Sequence, residues 1–347
     1  MQTDNLRIQQ THPLISPAVL EEELPLTDAA GDLITRAREQ VRQTLNGEDP
    51  RLLVVVGPCS IHDPAAAAEY ASRLSTLAEE VSGQIYCVMR VYFEKPRTVV
   101  GWKGLINDPD LDGSYRINRG LRLAREVLLN VNECGLPAAT EFLDTTFGQY
   151  YTDLVSWGAI GARTVESQIH RELASGLSMP VGLKNRTDGD VQVAVDAIRA
   201  AAHRHLFPSL TKEGAPAILE TGGNPDCHLV LRGGSEPNCD PAAISAAQAL
   251  LTDAGLADTV MVDCSHANSG KDPARQPEVA RAVVAQKTGK GDGPANPGIR
   301  GLMIESHLSG GRQDMGADMR YGVSITDGCL GFEDTRSLLL ELAESLA

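Results

Sequence analysis

The sequence is poor in aromatic residues and has no apolar run long enough to cross a membrane. Phe, Trp and Tyr together make up 4% of the 347 residues. The N-terminal stretch MQTDNLRIQQTHPLISP lacks the basic and apolar regions of a secretory signal. We therefore expect no membrane partner and a cytoplasmic location.

Positive charge is also scarce. The chain has 31 Lys and Arg against 46 Asp and Glu, which gives a formal net charge of −15. Such a balance argues against a nucleic-acid partner, because phosphate backbones attract basic surfaces. A site for a phosphorylated small molecule would therefore need a local concentration of Arg and Lys.

The cysteines do not have the spacing of a disulfide framework. There are seven, an odd number, and none forms a C-x-x-C pair. A chain of this length can bury a large core and needs no covalent crosslinks. Free thiols in a reducing compartment are the expectation.

Short apolar runs alternate with amphipathic, helix-like segments along most of the chain. The runs are residues 52–60, 85–95, 136–144, 158–167, 179–187, 205–211, 259–268 and 299–308. Eight such alternations predict an α/β fold of the (β/α)8 TIM-barrel type. A doubly wound open sheet is the alternative, but no G-x-G-x-x-G turn follows the first predicted strand.

Two segments lie outside this repeat. Residues 1–45 form an N-terminal extension with one predicted helix, and we expect it to make oligomer or regulatory contacts. Residues 215–234 contain two strand-like pieces around a Gly-Asn-Pro-Asp turn. They predict a β-hairpin inserted after the sixth strand. Residues 46–347, including this hairpin, would then form one catalytic barrel.

Chemically reactive or charged residues stand at the ends of seven of the predicted strands. They are Cys59, Arg90, Glu141, Arg163, Lys184, His266 and Glu305. Each by itself also fits a structural role, such as capping a helix or bridging two loops. Because active sites of (β/α)8 barrels lie at the carboxyl ends of the strands, together they predict a single site.

One subset of these residues has the chemistry of a metal centre. Cys59, His266, Glu305 and Asp327 offer a thiolate, an imidazole and two carboxylates, a set that suits Mn, Fe, Co or Zn. Cys59 has two other interpretations. It can be a buried apolar filler, or a covalent nucleophile with His266 as its base.

A second subset is cationic. It consists of Arg90, Lys95, Arg97, Arg163, Lys184 and Arg232. Guanidinium groups and lysines are what phosphate and carboxylate groups require for binding. A metal beside such a set predicts a phosphorylated substrate that carries more than one anionic group.

From about residue 15 to its C-terminus, the chain resembles the class I 3-deoxy-D-arabino-heptulosonate 7-phosphate (DAHP) synthases. The motifs that carry the resemblance are GPCSIHDP, MRVYFEKPRT, GWKGLINDPDLDGSY, GARTVESQIHRELASGLSMPVGLKN, LRGG, DCSHANSGK and YGVSITDGCLGFEDT. The resemblance implies a barrel enzyme that condenses phosphoenolpyruvate with erythrose 4-phosphate and releases phosphate.

The same motifs imply roles for individual residues. One divalent metal ion would be held by Cys59, His266, Glu305 and Asp327. Phosphoenolpyruvate would be bound by Arg90, Lys95, Arg163, Lys184 and Arg232. Erythrose 4-phosphate would be bound by Arg97, Thr98 and Asp327. The catalytic groups would be Lys95, Glu141 and His266. Cys329, two residues after Asp327, is expected close to Cys59.

The resemblance also implies partners and alternatives. We expect a homodimer or homotetramer and feedback by Tyr, Phe or Trp in a pocket that includes Gly148 and Ser178. Arg186, Glu213 and Val323 depart from the usual motifs and bear on kinetics and regulation. The alternatives are an effector-insensitive or non-catalytic relative, or another metal-dependent aldolase or lyase on the same barrel.

Overall fold

Eight parallel strands close into a barrel in a computed structural model that describes residues 3–291 and 293–347. In chain order the barrel strands are β1 (Leu52–Gly57), β2 (Ile85–Arg90), β3 (Ala138–Glu141), β4 (Trp157–Ile160), β5 (Val181–Lys184), β8 (Cys227–Leu231), β9 (Val260–Asp263) and β10 (Ile299–Glu305). Strand β1 pairs with both β2 and β10, which closes the barrel. The predicted (β/α)8 class is confirmed.

Helices surround the barrel and precede it. They are α1 (Pro17–Glu23), α2 (Asp28–Asn46), α3 (Pro64–Glu80), α4 (Ile117–Glu133), α5 (Gln168–Gly176), α6 (Gln192–Ala201), α7 (Pro241–Asp253), α8 (Gln276–Thr288) and α9 (Phe332–Leu346). Helix α3 begins directly after Asp63, whose carboxylate accepts the backbone N–H groups of Ala65 and Ala66. No helix within the described residues has both the length and the apolar character of a membrane span.

The inserted hairpin lies earlier in the chain than the sequence predicted. Strands β6 (Leu206–Leu210) and β7 (Pro216–Glu220) form a separate antiparallel pair, and the sixth barrel strand is β8. The prediction that 205–211 is a barrel strand and 215–234 a hairpin is therefore wrong. Pro208 cannot donate to a central ladder, whereas the apolar run of β8 is buried on both faces of the sheet.

The N-terminal extension contacts the amino end of the barrel. Val41 and Leu45 of α2 are buried among side chains of the barrel interior, such as Leu53 and Met303. The hydroxyl of Thr259 donates to the Leu45 carbonyl at 2.9 Å. This helix ends at Asn46, one residue beyond the predicted extension, and covers the amino end of the strands. The carboxyl ends of the strands are not covered by this helix, and the candidate site forms there.

Candidate active site

Most of the predicted site residues meet in one cavity at the carboxyl ends of the strands. The cavity measures about 170 Å3. Its walls include Lys95, Arg97, Glu141, Arg163, Lys184, Arg232, His266 and Asp327. Five cations with only two carboxylates in this set give the cavity a positive character, which favours anions.

Cys59 lies on the turn between β1 and α3, fully buried. The turn passes close to β2, since a side chain at Gly57 would come within 2.9 Å of the Arg90 carbonyl. The Cys59 Sγ atom is 3.1 Å from Lys95 Nζ. The Cys59 backbone N–H donates to Cys329 Sγ at 3.4 Å. Burial raises the pKa of the Cys59 thiol. A cation is therefore needed to favour the thiolate.

Three of the four predicted metal ligands are close together. One ligand atom each from Cys59, Glu305 and Asp327 lies within 4.8 Å of the other two. His266 is outside this group, although it shares the cavity wall with Asp327. A thiol with two carboxylates fits a divalent transition metal or zinc.

Glu305 is held in place by buried polar partners. Its carboxylate pairs with Arg90 at 3.0 Å, and both side chains are almost completely buried. The Gln276 side chain bonds to the backbone N–H and C=O of Glu305. Arg90 also stacks over the Tyr92 ring at 3.8 Å and is not among the residues that line the cavity. Arg90 therefore contacts a candidate metal ligand, Glu305, directly.

Sequence reasoning missed Asp263, the last residue of β9. Its Oδ2 atom accepts from Lys184 Nζ at 2.8 Å and lies 2.9 Å from His266 Nδ1. Complete burial opposes ionisation, but the contacts with Lys184 and His266 keep the Asp263 pKa well below its ordinary value. Asp263 thus links the cationic set to the metal set. Its position at a strand end was the available signal.

The Asp263 contact orients the His266 ring. Because Nδ1 faces Asp263 and the Ser265 hydroxyl, Nε2 is the ring atom that can serve a metal. His266 adopts a left-handed backbone with φ of 51°, and so does Lys271, with φ of 64°. Lys271 lines the cavity and was also missed. Left-handed non-glycine residues of this kind are concentrated at functional sites.

The loops after β2 and β4 bring two more cations to the cavity. Arg97 donates from Nε to the Trp102 carbonyl at 2.7 Å, and Thr98 is exposed beside it. Arg163, from the loop after β4, donates to the Pro96 carbonyl at 2.8 Å. The two loops therefore support each other at the cavity mouth.

The region predicted for an effector joins three segments. Gly148 is buried in the short 3-10 helix Phe147–Tyr150, and Ser178 is exposed before β5. From the hairpin, Lys212 donates to the Gln149 carbonyl and to Glu21 of α1, both at 2.5 Å. The N-terminal extension, the hairpin and the Gly148 segment meet here.

A closed parallel barrel with a thiol–carboxylate group beside a cation-rich cavity defines a class of metal-dependent barrel enzymes for phosphorylated substrates. The family model described as the DAHP synthetase I family matches residues 26–340. The chain belongs to the DAHP synthetase I family.

Named relatives agree with this membership. The Phe-sensitive phospho-2-dehydro-3-deoxyheptonate aldolase of Escherichia coli K12 is 54% identical over 99% of this chain and 98% of its own. The Tyr-sensitive protein of the same strain is 52% identical over 99% of this chain and 96% of its own. A solved phospho-2-dehydro-3-deoxyheptonate aldolase from Francisella tularensis SCHU S4 superposes with a TM-score of 0.94 at 49% identity, covering 98% of each chain.

Proposed function

We propose that this protein condenses phosphoenolpyruvate with erythrose 4-phosphate and water to give DAHP and phosphate. It is a 3-deoxy-7-phosphoheptulonate synthase, which opens the shikimate pathway. One observation carries the proposal: six cations line one cavity together with Asp327, whose carboxylate lies in a group with Cys59 and Glu305. Family membership supports the same reaction.

We assign the metal to Cys59, His266, Glu305 and Asp327. A divalent Mn, Fe, Co or Zn ion bound there would supply a Lewis acid for the aldehyde of erythrose 4-phosphate. Two of these ligands are oriented or charge-balanced by a neighbouring side chain. Asp263 turns His266 so that Nε2 is presented, and Arg90 balances the charge of Glu305.

Phosphoenolpyruvate is assigned to Arg90, Lys95, Arg163, Lys184 and Arg232. Four of the five line the cavity, and the other, Arg90, lies against Glu305. Burial lowers the pKa of Arg232, but a guanidinium remains charged at neutral pH. The phosphate and the carboxylate of phosphoenolpyruvate each have oxygens that can accept hydrogen bonds from two of these cations.

Erythrose 4-phosphate is assigned to Arg97, Thr98 and Asp327, and catalysis to Lys95, Glu141 and His266. The enol carbon attacks the aldehyde carbon, and water adds to the cationic centre that this leaves. The carbon–oxygen bond to phosphate then breaks. We assign Lys95 to a position between the two substrates, because it contacts Cys59 and lines the cavity. Glu141 is on the cavity wall, and we assign it to orient the polar groups of the substrates that react.

The proposed function is tested by phosphate release from phosphoenolpyruvate, with and without erythrose 4-phosphate. We expect release only when both substrates are present and only when a divalent metal has been supplied. Another aldolase or lyase would act on one substrate alone. A non-catalytic relative would release no phosphate under any of these conditions.

The two substrate assignments predict opposite kinetic effects. Lys184→Ala and Arg232→Ala should raise KM for phosphoenolpyruvate by roughly 10- to 100-fold, because each removes a charge-assisted contact worth about 1.5–3 kcal/mol. Arg97→Ala should raise KM for erythrose 4-phosphate instead. Steady-state kinetics with each substrate varied in turn measure both constants. Equal effects of all three variants on both substrates would contradict the assignment.

The contact between Cys59 and Cys329 predicts oxidative inactivation without metal. The Cys329 sulfur lies 3.4 Å from the Cys59 backbone nitrogen. In metal-free protein, oxygen can accept two electrons and two protons from the thiols as a disulfide forms. We expect chelated enzyme to lose activity in air and to regain it with reductant plus metal. Peptide mapping should find this pair linked, and Cys329→Ser should resist the loss. Two free thiols in inactive protein would refute the prediction.

We further propose an aromatic amino acid effector, Tyr, Phe or Trp, near Gly148 and Ser178. The support is the meeting of the extension, the hairpin and the Gly148 segment, together with the Phe-sensitive and Tyr-sensitive relatives. Titrating each amino acid into the activity assay tests it, and inhibition by none would overturn it.

We also propose a cytoplasmic homodimer or homotetramer with contacts through the extension. The free cysteines fit a reducing compartment. Leu6 and Ile8 of the extension are 69% and 58% exposed, and such apolar side chains fit a contact between subunits. Light scattering of the purified protein measures the subunit number.

A further inference from the structure

Arg186 connects two loops at the rim of the cavity. It lies in the loop after β5, and its Nη1 atom is 2.7 Å from Glu166 Oε1 in the loop after β4. Its other nitrogens bind both carboxylate oxygens of Asp188, with Nε 3.1 Å from Oδ1. The guanidinium is therefore held from two sides, although the side chain is 34% exposed. Arg186 is not among the residues that line the cavity.

Glu166 belongs to the same tight turn as Arg163. The Val165 N–H donates to the Gly161 carbonyl at 3.0 Å, and the Ser167 N–H donates to the Thr164 carbonyl at 2.9 Å. These bonds connect residues 161–167 in one turn, in which Arg163 lines the cavity and Glu166 pairs with Arg186. We therefore expect a shift of Glu166 to move Arg163 as well.

On its other side, the loop that carries Arg186 is bound to the loop of Arg232. The buried Asn185 side chain donates to the carbonyls of Arg186 and Gly233 at 2.9 and 2.8 Å. Its oxygen accepts the Arg232 N–H at 2.8 Å. Asn185 follows Lys184 directly, so Lys184 and Arg232 are held together by one amide.

We infer that Arg186 is a positioning residue that sets the spacing between Arg163 and the Lys184–Arg232 pair through its bond to Glu166. This inference rests on the proposed function, in which these three cations bind phosphoenolpyruvate. Loss of Arg186 should weaken the binding of phosphoenolpyruvate, because the spacing of the three cations changes. The reacting groups should stay unchanged, because Arg186 does not line the cavity. The expected signature is a change in KM for phosphoenolpyruvate without a change in kcat.

The test is a double-mutant cycle with Arg186→Ala and Glu166→Gln. Each should raise KM for phosphoenolpyruvate about two- to fivefold, the range of an exposed ion pair. The double variant should be no worse than Arg186→Ala alone. Arg186→Lys should recover part of the affinity, and kcat and KM for erythrose 4-phosphate should stay within the error of the wild type. The matched control is Arg281→Ala, which removes an exposed two-bond pair with Glu341 between α8 and α9.

Additive effects of the two substitutions, or an equal change in kcat, would overturn the inference. So would an effect of the same size in Arg281→Ala. Titration of phosphoenolpyruvate by calorimetry without the second substrate separates this inference from the proposed function. Wild-type protein that binds phosphoenolpyruvate but releases no phosphate would contradict the function alone. Turnover by the wild type, with unchanged binding in Arg186→Ala, would contradict the inference alone.

Discussion

Cys59→Ser is expected to lose most of its bound metal and nearly all of its turnover while keeping its fold. A serine hydroxyl stays protonated at neutral pH and replaces a soft anionic ligand with a weak neutral one. Mutation of a residue that only hydrogen-bonds to a metal ligand costs about 10- to 100-fold in metal affinity or activity. Mutation of the ligand itself should therefore cost more. Elemental analysis and steady-state assays measure the two losses.

The three interpretations of Cys59 give different results in this experiment. Loss of metal together with turnover identifies a ligand. Loss of turnover with metal retained identifies a nucleophile, and full metal-dependent activity identifies a buried filler. Cys134→Ser is the matched control, since Cys134 is a partly exposed free thiol at the end of α4. Thermal unfolding followed by circular dichroism checks that both variants are folded.

Asp263→Asn is expected to lower turnover by about 100-fold and to weaken metal binding by about 10- to 100-fold. The carboxylate pairs with Lys184 at 2.8 Å and with His266 at 2.9 Å, fully buried. An amide leaves the Lys184 ammonium without a counter-charge and no longer selects the His266 tautomer that presents Nε2. Removing one partner of a buried pair also costs about 3–5 kcal/mol of folding stability.

Asp263→Asn can be distinguished from a purely structural defect by two measurements. Urea unfolding gives the stability loss, and metal titration of protein that is still folded gives the affinity. The control is Asp226→Asn, because Asp226 lies at the opposite end of the barrel, immediately before β8. Normal metal affinity and turnover in folded Asp263→Asn would contradict the positioning role.

Much of the site could be read from the chain because strand ends are local features. An apolar run followed by Cys59, Lys184 or His266 marks the carboxyl end of a strand without knowledge of its neighbours. The hairpin was placed wrongly for the opposite reason. Residues 205–211 and 227–231 are both short apolar runs. Pro208 is the one local signal against a central strand, and pairing with β5 or β7 is what separates the two runs in the structure.

The links between site residues could not be predicted in this way. Asp263 bonds to Lys184 across 79 positions of sequence, and Arg90 bonds to Glu305 across 215. Such pairs depend on which strands are adjacent and in which register, and these are properties of the closed sheet. The sequence around a carboxylate at a strand end does not indicate which residue will pair with it.

By itself, the sequence determined the barrel class, the carboxyl-end location of the site and the two chemical sets within it, since apolar periodicity and residue type act locally. Tertiary structure decided that β8 is the sixth barrel strand and that Arg90 lies against Glu305. It also decided that one buried carboxylate, Asp263, serves both Lys184 and His266. The physical reason is that parallel strands pair through long crossovers, so their contacts depend on the closure of the whole barrel.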